Sequence, residues 1–223
     1  MFYSIRAQLI VIIVILMVPF IVMTYLFWEQ AATSLRESIE TSTVQTLNQY
    51  AEYVDNTASQ TMNTANQILR SDITQNWIRL RKDNEYDDRD IQQNYLMRKY
   101  LESVISDNQA IFSINVFYDD WDMWNLKVDS YRNSEWYQTY EKGNSRWTLS
   151  HYDLRQNGTT MSSKRINSFV YPLSDLLNLE GDGVLKLNLL TSSFQEPLDK
   201  LTLGKTGKVF LMTPEDYLYS IKR

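Results

Sequence analysis

From Leu9 to Trp28 the chain carries no charged residue and is dominated by Ile, Val, Leu, Met and Phe, with Arg6 before the run and Glu29 after it. About twenty such residues are what a helix needs to cross roughly 30 Å of hydrocarbon at about 1.5 Å per residue. Pro19 would break a water-exposed helix, but in lipid neighbouring groups re-satisfy the freed carbonyl. Tyr25 and Trp28 stand where an interfacial aromatic belt would sit. A cleaved secretory signal has a shorter apolar run of about 7–15 residues and a small-residue cleavage pattern, and none precedes Glu29. Residues 9–28 therefore read as an uncleaved transmembrane helix, with residues 1–8 as a cytoplasmic N-terminus. Of the 22 Lys and Arg, 21 lie beyond the run, as do all 27 Asp and Glu, so that part carries net charge −6, in keeping with an N-inside, C-outside, single-pass cell-membrane protein.

The chain beyond the anchor is long enough for one or two domains with genuine cores. It is acidic, with its basic residues scattered, which argues against a nucleic-acid partner. The absence of cysteine excludes disulfides, thiolate catalysis and Cys-built metal sites. The 15 Tyr and 6 Trp are numerous, and several cluster between Phe112 and Tyr152, where amphipathic rings either fill a core or line a ligand pocket.

Residues 29–80 contain neither Gly nor Pro. Val44, Ala51, Ala58 and Ala65 share one heptad position, and Leu47, Val54, Thr61 and Ile68 the other, the stripe of a long helix packed on a partner. The partner is either a second copy, making a homodimer, or this chain's own domain. Arg79–Arg89 reads as a loop, and Asp88 or Asp90 caps a second helix with Ile91, Tyr95, Leu101, Val104 and Ile105 near one face. Ala110–Tyr118 alternates, with Phe112, Ile114, Val116 and Tyr118 opposite Ser113 and Asn115, as a half-buried strand does. Further strands are expected at Met123–Val128, Arg146–Tyr152, Arg165–Pro172 and Gly183–Leu190. Ser134 caps a short helix closed by Gly143. Thr191 or Ser192 caps another helix through Leu203, and a strand over Val209–Thr213 opens a further sheet. The expected class is α+β: a transmembrane helix continuing into a long helix, then a five-strand antiparallel sheet with flanking helices.

That order resembles the double Cache sensor domain of bacterial membrane receptors, in which a long helix leads into two PAS-like modules. Ser134-Glu135-Trp136-Tyr137 resembles the element opening the pocket helix, Phe169-Val170-Tyr171-Pro172-Leu173 the fourth strand, and Gly183-Val184-Leu185-Lys186-Leu187-Asn188 the fifth. Gly204-Lys205-Thr206-Gly207-Lys208-Val209-Phe210-Leu211 resembles the entry to the membrane-proximal module. The resemblance implies a distal sensor module over residues 29–203 and the start of a truncated second module over 204–223. The anchor and Thr/Gln-rich helix are most similar to sensor histidine kinases of Gram-positive bacteria, often associated with sugar uptake. Such a protein has a second membrane helix, a HAMP linker and a kinase beyond this chain. The sole histidine, His151, falls in an exported strand, so it is not a phosphoacceptor, and it reads as a packing residue.

In such relatives the ligand lies between the sheet and the Trp-Tyr helix, so the resemblance implies Trp136 and Tyr137 as ligand-binding residues, with Tyr152 matching a pocket tyrosine. Asn188 falls where amino-acid sensors place an aspartate, and Ser134 where they place an arginine, with Arg132 able to replace it if the alignment slips by two residues. Asn lacks the charge to pair an ammonium, which favours a neutral sugar or polyol over an amino acid as the small extracellular solute. The competing reading makes Trp136 and Tyr137 core. Asp119, Asp120 and Asp122 fit a solvated turn better than a cation site. No cofactor is called for. A nucleophile motif and metal-ligand spacing are both lacking, which weighs against a membrane-anchored hydrolase and for a chain that is not itself an enzyme. A chemotaxis or nucleotide cyclase receptor ectodomain is the alternative to a histidine kinase, and a surface scaffold dimerising through Val44–Ile68 is a third class.

Overall fold

The computed structural model describes residues 5–82, 88–118, 121–122, 131–143, 145–152, 164–174, 183–200, 210–212 and 218–221. The chain divides into two units, Met1–Gln49 and Tyr50–Arg223. One helix, α1 (Ile5–Arg70), begins in the first and ends in the second. Within the first unit every large apolar side chain from Leu9 to Trp28 is between 48% and 75% exposed, with Pro19 accommodated inside the helix. This is the one helix among the described residues that is long and apolar enough to cross a membrane.

In the second unit the predicted heptad stripe divides. Thr61, Ala65 and Ile68 are buried in the chain's own core, whereas Ala51 upstream of them is exposed. The helix does not run on to residue 80 as the lack of Gly and Pro suggests. It ends at Arg70, because Ser71 turns its hydroxyl to the Ile68 carbonyl (2.8 Å) and accepts the Thr74 N–H (3.2 Å), capping α2 (Asp72–Lys82). Arg79–Lys82 thus belong to α2 rather than to a loop. The helix α3 (Asp88–Asp107) comes next, and its buried face is Asn94, Met97, Leu101 and Val104 rather than the stripe including Ile91 and Tyr95, which are 64% and 56% exposed. Asn94 is held there by the hydrogen bond that it accepts from Trp77 Nε1 on α2 at 2.6 Å.

The sheet has the order β2-β1-β5-β4-β3, all neighbours antiparallel. Three eight-residue strands carry it: β1 (Ile111–Tyr118), β4 (Arg165–Pro172) and β5 (Gly183–Leu190). Two pairs of residues stand at its edges: β2 (Trp121–Asp122), in the stretch expected as a turn, and β3 (His151–Tyr152), at the end of the strand expected over Arg146–Tyr152. Met123–Val128, where a full second strand was expected, lies outside the described residues, as do Asp119 and Asp120. Upstream of β3, Arg146 and Thr148 still bond β4 through Val170 N–H and the Ser168 carbonyl (2.8 Å each). The Thr148 hydroxyl accepts the Ser168 N–H (3.0 Å) where a backbone carbonyl would continue the ladder, and this cuts the strand short.

One sheet face meets the helices. Ile114, Val116, Leu185, Leu187, Phe169 and Tyr171 pack with Ala65, Ile68, Leu69, Trp77, Ile78, Met97 and Leu101 in the main core. At Gly183 a Cβ would stand 2.7 Å from the Phe117 carbonyl oxygen and 2.5 Å from the Leu173 side chain, so only glycine lets β5 enter beside β1. After β5 the helix α5 (Thr191–Lys200) starts at once, and residues 201–203, where its end was expected, lie outside the described residues. Beyond it β6 (Phe210–Met212) pairs with β7 (Leu218–Ile221) in a separate antiparallel sheet.

Candidate functional site

The opposite sheet face is the unusual one. In β5 alternate residues point to opposite sides, so Val184, Lys186 and Asn188 share this face. Their register partners are Phe117, Asn115 and Ser113 on β1 and Pro172, Val170 and Ser168 on β4. Polar side chains therefore line the middle of three central strands, yet Ser113, Asn115, Ser168, Lys186 and Asn188 are all at most 1% exposed. The alternation in β1 suggests a half-buried strand, but both of its faces are covered.

Buried polar groups are tolerated only when paired, and Asn188 is the hub of the pairing. Its Oδ1 accepts from Ser168 Oγ at 2.6 Å, while its Nδ2 donates to Ser113 Oγ at 2.8 Å and to Asn115 Oδ1 at 3.2 Å. At the Val184 end of this face an aromatic wall rises. The helix α4 (Glu135–Lys142) buries Trp136 on Phe117, Val170 and Val184, joined by Tyr131 from the turn Tyr131–Asn133 and flanked by Tyr137 and Tyr140. Tyr131 stacks on Phe117 at 4.9 Å and lies nearly parallel to Trp136 at 6.4 Å. The Tyr137 ring meets both Tyr131 and Trp136 edge-on, at 5.0 and 5.6 Å. Ser134 does occupy the N-cap position and Gly143 the C-cap, but the Ser134 hydroxyl donates to the Tyr131 carbonyl and makes no cap bond, tying the turn to the helix instead.

Lys186 links the polar strip to this wall. Its Nζ sits 4.2 Å from the centroid of the Trp136 ring, a contact worth about 2 kcal/mol when desolvated. Of the residues the sequence singles out, the fold thus brings Trp136, Tyr137 and Asn188 to one sheet face. Arg132 stands at its margin, half-buried, with its guanidinium 5.6 Å from the Tyr131 ring centroid. Tyr152 is not part of it: it is 61% exposed, and its partner Arg165 points to the opposite side of β4 from Ser168 and Val170. Edge-strand register decides this, since a shift of one residue would have turned Tyr152 to the other face. His151 is half-buried, its Nδ1 2.9 Å from the Leu149 carbonyl, and stays apart from the aromatic wall.

Sequence reasoning passed over Lys186, Ser113, Asn115 and Ser168. The signal was present in the alternation of β5, where Leu185, Leu187 and Leu189 oppose Lys186 and Asn188. A separate cleft of about 570 Å³ lies between α1 and the α3–β1 connection, lined by residues including Gln60, Asn63, Gln67 and Asp107, and none of the predicted site residues reaches it.

The likeness is to chemoreceptor ligand-binding domains. Crystal structures of the ligand-binding domain of Campylobacter jejuni chemoreceptor Tlp3 share this fold. The complex with L-valine is 16% identical over 85% of this chain and 73% of that chain, with a TM-score of 0.53. The complex with 4-methylisoleucine is 13% identical over 83% and 70%, with a TM-score of 0.50. At these identities the likeness is one of fold. No family model matches the chain. No curated protein matches it in sequence.

Proposed function

We propose that this chain is the extracytoplasmic sensing region of a membrane receptor, binding a small solute on the sheet face that carries Asn188 and Lys186 and performing no chemistry on it. The observation that carries this reading is the polar strip across the centre of β1, β5 and β4, wholly buried and bordered at its Val184 end by an aromatic wall. A sheet stabilised for its own sake would place apolar residues there. The shared fold with ligand-binding domains agrees with it. Leu9–Trp28 is then the membrane anchor, with an N-terminus inside and the rest of the chain outside. A two-component sensor histidine kinase remains the leading full-length architecture, and a methyl-accepting chemotaxis receptor fits the same fold. The gene sequence after Arg223 separates them, since a kinase supports the first and methyl-accepting helices the second.

The site does not favour a neutral sugar or polyol as the sequence alone does. Asn188 in place of an aspartate points that way, but Lys186 brings an amine to the same face. The solved Tlp3 domains hold L-valine and 4-methylisoleucine, and amino acids therefore enter the screen ahead of neutral sugars. A ligand present at about 100 times its Kd stabilises the folded state by about 2.7 kcal/mol, a rise in Tm of roughly 5–10 °C for a domain of this size. Thermal-shift screening of the full chain in detergent against amino acids, organic acids and sugars tests the reading. A rise that Tyr137→Ala abolishes supports a pocket. No rise with any compound, together with a Trp136→Ala variant that only loses stability, means the wall is core.

A further inference from the structure

The cleft between α1 and the α3–β1 connection lies apart from the sheet face, and its volume of about 570 Å³ falls within the roughly 300–1,000 Å³ of small-molecule sites. Gln60, Asn63 and Gln67 stand on one face of α1 and form one wall. The other wall is the last turn of α3, with Val104 and Asp107, followed by the turn through Ala110. Asn108 ties the two walls together. Its Nδ2 donates to Thr64 Oγ1 at 3.3 Å, its Oδ1 accepts the Ala110 N–H at 3.2 Å, and its own N–H donates to the Val104 carbonyl at 3.1 Å. The electrostatics of this cleft are one-sided. A helix C-terminus carries about half a negative charge and is stabilised by basic side chains. Instead α3 ends on Asp107 with no basic residue in its last turn, and no Lys, Arg or His lines the cleft. Among the described residues the Asp107 carboxylate has no hydrogen-bond or ion-pair partner.

We infer that this cleft binds a small primary amine, with Asp107 as the counter-ion of its ammonium group, the amide oxygens of Asn63 and Gln67 taking its other N–H donors, and Val104 and Ala110 meeting its carbon chain. A primary ammonium has three donors and no acceptor, which matches a carboxylate flanked by amide oxygens. A quaternary ammonium has no N–H to give, and no aromatic ring lines the cleft to take its charge. Calcium takes about six to eight oxygens, and here a single carboxylate is at hand. Neither Trp136 nor Asn188 reaches this cleft, so it and the sheet-face site stand or fall separately.

Isothermal calorimetry on the full chain in detergent micelles, at about 0.15 M salt to screen distant charges, compares putrescine and n-butylamine with 1,4-butanediol, choline and calcium chloride. At least one of the two amines is expected to bind with a Kd of about 1 mM or below, at least tenfold more tightly than the three controls. Asp107→Asn should weaken that binding at least tenfold and Gln67→Leu severalfold, whereas Tyr137→Ala, on the sheet face, should leave it unchanged. Asp107→Asn also removes a charge that the helix end disfavours, so its thermal midpoint without amine, followed by circular dichroism, should equal or exceed that of the wild type. A lower midpoint makes Asp107 a structural group and overturns its role as counter-ion. Failure of both amines to bind, or amine binding that survives both Asp107→Asn and Gln67→Leu, overturns the site and leaves the sensor reading standing. A control that binds as tightly as the amines and is lost with Asp107→Asn overturns the ligand class.

Discussion

Asn188 is the residue whose removal should be felt most. Its side chain makes three hydrogen bonds to Ser168, Ser113 and Asn115, all inside the sheet face and out of contact with water. Truncation to alanine forfeits those bonds, each worth about 1 kcal/mol net, and strands their partners, at about 1–3 kcal/mol for each group left unsatisfied. Because the serine hydroxyls can rotate towards other acceptors, the total falls near 3–5 kcal/mol, at the upper end for a single substitution. With a urea m-value of about 2 kcal/mol/M, the unfolding midpoint of the full chain, followed by tryptophan fluorescence, moves down by roughly 1.5–2.5 M. The triple variant Ser113→Ala/Ser168→Ala/Asn188→Leu removes donors and acceptors together and should recover most of that loss. A midpoint change below about 0.5 M for Asn188→Ala at unchanged m would refute the reasoning. So would a triple variant as unstable as the single one, because then the cost does not arise from stranded partners.

Gly183→Ala forces a Cβ to within 2.7 Å of a backbone oxygen, and β5 cannot retreat from β1 without loosening the ladder. A loss of about 1–3 kcal/mol in urea unfolding is expected. Ser71→Ala removes the cap at the α1–α2 break and should cost about 1 kcal/mol in the same assay. Tyr50 donates to the Phe194 carbonyl at 3.0 Å, and burial, reinforced by the neighbouring Tyr53, pushes its pKa from 10.0 to about 12. The folded-state pKa is the higher one, so this contribution is intact below pH 10 and is lost as the pH rises towards and through 12. Stability measured from pH 9 to 12 should fall, and Tyr50→Phe should flatten that part of the fall; an equal fall in the variant counts against Tyr50 as its source.

The readable part of the fold lay in local periodicity. Alternation in Ala110–Tyr118, and the turn-bounded runs Arg165–Pro172 and Gly183–Leu190, located the three strands that carry the sheet. Spacing over 29–80 located helix but hid its break, because Ser71 ends α1 by a side-chain bond that composition does not announce. The face of α3 was misjudged for a related reason: Ile91 and Tyr95 are apolar but exposed, while polar Asn94 is buried by its bond to Trp77. Of the site, Trp136, Tyr137 and Asn188 came from the resemblance, and Lys186 escaped because a lysine in a strand reads as a solvated residue until both faces of that strand are known to be covered.

By itself, the sequence determined the uncharged Leu9–Trp28 run, the division into leading helices and later strands, and which residues of each strand share a side. Those properties depend only on neighbours within a turn or a pleat. Only the tertiary structure decided that the polar side of β5 is buried, that Asn188 meets Ser113 across a separation of 75 residues, and that Trp136 closes over Lys186. Such contacts depend on strand register and on what packs against each face. A one-residue slip would reverse both without changing the composition of any segment.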